Sequence, residues 1–148
     1  MKNICACTIG ALLAIGLTVQ DAQADTPRMF FEGDMVLAQA CVLKSRFTHG
    51  EGVVFRVRVL DPGTGQQLDA AKLKSLVIEL GDGKKIPMKY GGHPRGGTED
   101  AFWSGSWKVP ESYPTGTLAY TVVATDLKGQ EVHWQPFTVK NSTLTIED

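Results

Sequence analysis

The plainest pattern in this chain is strict alternation of apolar and polar positions. Leu118, Tyr120, Val122 and Ala124 recur at every second residue between Pro114-Thr115-Gly116 and Asp126-Leu127-Lys128-Gly129. That period suits a strand with one face in a core, opened by Pro114 and Gly116 and ended by a turn at Asp126 and Gly129. Glu131 to Val139 then returns as a hairpin partner, with Val132 and Trp134 on one face, His133 and Gln135 on the other, and Pro136 at an edge position or bulge. A second alternating run fills Val53 to Leu60: Phe55, Val57 and Val59 point one way, Val54, Arg56 and Arg58 the other. Leu76, Ile78 and Leu80 alternate with Val77 and Glu79, and Gly81-Asp82-Gly83 links them to Ile86, Met88 and Tyr90 as a hairpin. Trp103, Gly105, Trp107 and Val109 carry the same period.

The intervening segments are less regular. Asp25 to Met35 reads as a loose arm, and Met35 to Leu43 is a near-continuous apolar run that fits a strand buried on both faces or a short helix, with strand the better fit. Phe47 to Gly52 and Asp61 to Gly65 are turns, and Leu68 to Lys74, with Asp69 as N-cap, allows one helical turn. Gly91 to Asp100 is the longest stretch without periodicity, and Lys140 to Asp148 reads as a polar tail with a short strand at Leu144 to Ile146. About seven short strands and no long amphipathic helix predict an all-β fold, an antiparallel β-sandwich.

Two stretches carry a resemblance. Tyr113 to Gly129 reads aromatic-Pro-x-Gly-Thr, strand, Asp-x-x-Gly, and resembles the penultimate strand and final hairpin of immunoglobulin-like and fibronectin-III-like domains of exported bacterial proteins. Phe47-Thr48-His49-Gly50-Glu51 with the following strand resembles the opening of several immunoglobulin-like families, macroglobulin-type domains included, with His49 where those families often place proline. The likeness spans Phe47 to Val139 and implies an immunoglobulin-like sandwich, without the usual pair of core cysteines. On that likeness Tyr120 takes the place of a fibronectin-like strand-F tyrosine; simple inward packing is the alternative.

The first 24 residues have the form of a secretory leader: Lys2, an apolar run from Ile9 to Val19, and an Ala22-Gln23-Ala24 cleavage site. The apolar run is shorter than the ~20 residues a spanning helix needs. Cys5 and Cys7 precede most of it, against a lipid-anchored cysteine. The expected product is periplasmic or secreted, starts at Asp25, has no transmembrane segment and forms one domain over residues 25–148. Removing 24 of the 148 residues takes away Lys2 and Asp21 together, so the net charge stays at −1 and gives no pull towards nucleic acid or a membrane surface. Cys41 is then the one cysteine left, which rules out an internal disulfide, and a buried, inert thiol is its commoner fate.

Catalytic signatures are missing: no nucleophile elbow is present, Ser104 and Ser106 lie in an alternating strand, and Glu99 and Asp100 read as solvated neighbours. A non-catalytic role is expected. Cys41, His49, His93 and Met88 are donors suited to copper, and His93 or His49 to axial ligation of haem iron. Cupredoxins, however, gather such ligands in one loop near the C-terminus, and no Cys-x-x-Cys-His haem attachment sequence occurs. A copper- or haem-binding redox accessory is therefore the second reading. The first is a binding module or accessory subunit for another exported protein, using no cofactor. Its contact would be the Gly-rich loop 91–100 with its neighbours, where His93, Arg95, Tyr90, Phe102 and Trp103 combine small backbone, polar groups and the aromatic types common at interface hot spots. The plainer alternative is that Trp103 and Trp107 fill the core and the loop only connects strands. Arg56 and Arg58, with Arg46 nearby, form either a basic stripe or an ordinary solvated sheet face.

Overall fold

The computed structural model describes residues 28–93, 100–138 and 142–148. The expected leader, its cleavage site, Arg95 and Val139 lie outside these residues. Among the described residues eleven strands form where about seven were expected: β1 (Phe30–Leu37), β2 (Arg46–Thr48), β3 (Gly52–Leu60), β4 (Leu73–Leu80), β5 (Lys85–Pro87), β6 (Lys89–Gly92), β7 (Ala101–Lys108), β8 (Gly116–Leu118), β9 (Tyr120–Asp126), β10 (Glu131–Trp134) and β11 (Leu144–Glu147). No helix occurs among the described residues, so none there is long and apolar enough to cross a membrane.

The strands form three sheets, in the orders β1-β3-β7-β6, β10-β9-β4-β5 and β2-β11-β8. All pairings are antiparallel except β11 with β2, which is parallel. The first two sheets pack in the manner of a sandwich, and alternation decides what they bury. Val53, Phe55, Val57 and Val59 from β3 join Trp103 and Trp107 from β7, Leu76, Ile78 and Leu80 from β4, and Tyr120, Val122 and Ala124 from β9 in one core. Phe55 and Tyr120 meet edge to face across it, with centroids 5.2 Å apart. Gly105, between the two tryptophans, lets β5 approach: a Cβ there would lie 3.2 Å from Met88 Cγ and 3.3 Å from Ile86 Cγ2.

The extra strands come from breaks and from short pieces. The run from Leu118 to Ala124 is not one strand, because the chain changes sheet at Ala119: β8 pairs with β11, and β9 with β4. The Ala119 carbonyl at the break accepts from Gly81 N at 2.8 Å. Ile86, Met88 and Tyr90 are likewise divided, with β5 in one sheet and β6 in another. At Met88 the chain leans back, its N–H donating to Leu76 O at 2.9 Å. The expected loose arm is corrected too, since Phe30 onwards is strand. The apolar run to Leu43 leaves the strand after Leu37 for a turn in which Cys41 takes φ 53° and is exposed, not buried. The tail is no polar appendage: its predicted short strand, β11, is present, and Leu144 and Ile146 are fully buried. Asp69 opens a single turn by accepting from Ala71 N, as its capping role predicts.

Candidate functional site

Of the five residues expected to form one contact surface, Arg95 lies outside the described residues, and the sheet that carries the others divides them between its faces. β6 and β7 pair so that Tyr90 faces Trp103 and Gly91 faces Phe102. Successive strand residues point to opposite faces, so Phe102 and Trp103 part company. Trp103 is buried, packs edge on against Tyr90 at 5.6 Å, and donates from Nε1 to Leu68 O at 2.9 Å. Trp107 is buried as well, which bears out the plainer reading that both tryptophans fill the core.

On the outer face, His93 leans on Phe102 with ring centroids 5.7 Å apart, and the Arg56 guanidinium lies 5.7 Å from the Phe102 centroid. Arg56 forks onto both carboxylate oxygens of Asp34 at 2.6 Å, and Arg58 pairs with Asp100. Asp34 raises the Arg56 pKa first by hydrogen bonding, with burial opposing it. Arg46 pairs with Glu147. The basic stripe is thus neutralised residue by residue, leaving a shallow cleft of about 210 Å³ lined by Glu32, Arg56, Arg58, Asp100 and Phe102.

The metal candidates are engaged elsewhere. Cys41 is on an exposed turn, Met88 is in the core, and His49 donates from Nε2 to the Tyr113 carbonyl at 2.8 Å. Among the described residues no three His, Cys, Asp or Glu side chains gather as a metal site.

A larger concavity lies where β1 and β10, the edges of the two main sheets, meet. This groove of about 560 Å³ is lined by residues that include Phe31, Gly33, Leu43, Tyr120, Trp134 and Phe137. Trp134 stacks on Phe31, centroids 5.9 Å apart and planes within 7°. The same indole fills the space over Gly33, where a Cβ would come within 3.3 Å of its ring. Burial pushes the Tyr120 phenol up to about 12, with the nearby Asp34 charge adding to it. On the rim, Leu43 is 70% exposed and Phe137 79%, unusual for side chains of that size.

β1 offers backbone to this groove. Leu37 N donates to Val42 O and Lys44 N to Met35 O, so the odd-numbered residues of β1 turn their polar groups away from β3. Strand alternation then puts the N–H and C=O of Phe31 and Gly33 on the same side. No backbone bond to them on that side is present among the described residues. The sequence signals were Phe30-Phe31 and Trp134-Gln135-Pro136-Phe137, but no period announces that two such distant segments meet. No protein-family model matches this chain, and no curated protein is significantly similar to it.

Proposed function

We propose that this protein is an exported, non-catalytic binding module with an immunoglobulin-like domain, an accessory subunit for another exported protein, and that it works without a cofactor. The observation behind the reading is the groove between β1 and β10, whose rim leaves Leu43 and Phe137 largely in water. Apolar side chains of that size beside a concave surface are what a partner covers. The leader-like residues 1–24 support export. The contact is placed at the groove and not at loop 91–100, because Tyr90 and Trp103 are spent on the core. The copper reading has no cluster of three His, Cys, Asp or Glu side chains behind it among the described residues.

The test is affinity capture from the exported fraction of the source organism, quantified by mass spectrometry, with the chain from Asp25 as bait. A Leu43→Asp, Phe137→Asp double variant is expected to lose at least tenfold of the captured partner, while His93→Ala keeps it. The reverse result returns the contact to the loop.

A further inference from the structure

We propose that the β1 edge takes up an extended segment of its partner as an added antiparallel strand, the segment carrying a lysine or arginine opposite Glu32 and an apolar side chain opposite Gly33. The inference rests on the binding-module reading and names the mode and chemistry of the contact. Three observations carry it.

The first is the backbone. Phe31 and Gly33 present donors and acceptors away from β3, and a strand lying alongside would continue the sheet β1-β3-β7-β6 by one member. The turn at 38–44 already does this at the other end of β1, through the Leu37–Val42 and Met35–Lys44 bonds.

The second is the apolar floor. Residues directly opposite each other in an antiparallel pair share a face. A side chain opposite Gly33 would enter the groove beside Trp134, Leu43 and Phe137, where Gly33 itself contributes no bulk.

The third is charge. On the outer face Asp34 is held by Arg56, and Lys44 on the groove rim is held by Glu51, with Nζ to carboxylate distances of 2.6 and 2.7 Å. Glu32 also lines the groove; Arg58 stands opposite it on β3 but pairs with Asp100, and among the described residues no ion pair is formed by Glu32. A cationic residue opposite it completes a cross-strand pair. The same charge argues against a second copy of this chain: a two-fold pairing centred on Gly33 would set Glu32 against the Asp34 of the copy. The occupant is therefore a different, basic and apolar strand.

The probe is a blocked hexapeptide alternating lysine and valine, titrated into the folded chain from Asp25 and followed by amide hydrogen exchange and fluorescence of Trp134. Exchange at Phe31 and Gly33 is expected to slow at least tenfold on binding. A version N-methylated at alternate residues, which keeps the side chains but cannot form the ladder, is expected to bind at least tenfold more weakly. Glu32→Lys is expected to weaken the lysine–valine peptide about fivefold and to favour a glutamate–valine one. Equal binding of the methylated peptide overturns strand addition while leaving a groove-binding module in place. Capture of the partner lost in the Leu43→Asp, Phe137→Asp variant but unchanged in Glu32→Lys overturns the charge assignment alone. Self-association through β1, seen by sedimentation without added peptide and strengthened by Glu32→Lys, which sets a lysine against the Asp34 of the copy, would overturn the proposal in favour of a dimer.

Discussion

Trp107 and Trp134 close the core by different means. Trp107 is 5% exposed, lies edge on to Tyr113 at 5.0 Å, and sits among hydrogen-bonded neighbours, while its own buried Nε1 has no hydrogen-bond partner among the described residues. Gly50 N donates to Val109 O, Val109 N to Glu51 O, His49 to the Tyr113 carbonyl, and the Tyr113 hydroxyl to Asp82. Burial and the Asp82 carboxylate together push the Tyr113 phenol up to about 12. Trp134 is half-buried, lies flat on Phe31 and has a groove beside it. The difference teaches that one side of the sandwich is packed closed from within the chain, while on the other the described residues leave strand edge and apolar rim, the place where the proposed partner would bind.

That contrast can be broken by measurement. Trp107→Ala is expected to cost about 3 to 5 kcal/mol in urea unfolding at unchanged slope, the cost of a cavity in a packed core. A loss below ~1 kcal/mol would move Trp107 to the periphery. Ile146→Ala, in β11 and 1% exposed, is expected to cost about 3 kcal/mol. Trp134→Ala should cost only about 1 to 2 kcal/mol, since part of its apolar area is in water to begin with; equality with Trp107→Ala erases the contrast.

A pH series sharpens it further. Hydrogen bonds from Lys44, then from Thr48 N–H, hold the Glu51 carboxyl below its ordinary value of 4.5. A carboxyl lowered in the folded state stabilises above its unfolded pKa and stops doing so as pH falls through the folded one. Wild type should therefore exceed Glu51→Gln in stability at pH 7, with the gap closing below the ordinary carboxylate range. Both groups are partly solvated, so the gap is small. Smallest of all is Phe137→Ser, expected within about 0.5 kcal/mol of wild type while partner capture falls at least tenfold; a large stability loss would show the rim to be core.

How much of this was legible depended on the residue run in question. β3, β4, β7 and β9 were readable because their inward residues recur at every second position, three or four in succession. β2 was read as a turn because Phe47, fully buried, stands alone between Arg46 and Thr48 and sets no period. The sheet change at Ala119 was invisible for the opposite reason, since alternation carries straight through it and hides which partner each half chooses. The grouping of Phe102 with Trp103 was misleading on the same physics that made β7 readable, since adjacent residues in a strand point to opposite faces. The groove was out of reach because it is assembled from segments a hundred residues apart, Phe31 and Trp134 among them.

The parallel pairing of β11 with β2 sets a timetable for folding. Arg46 and its partner Glu147 are 101 positions apart, and Leu144 and Ile146 supply fully buried side chains to the core. A chain delivered from its N-terminus must keep β2 and β8 waiting until residues 144–147 arrive, so closure of the core comes late. Pairings of such sequence separation belong to domains that fold in milliseconds to seconds, orders of magnitude slower than helical bundles.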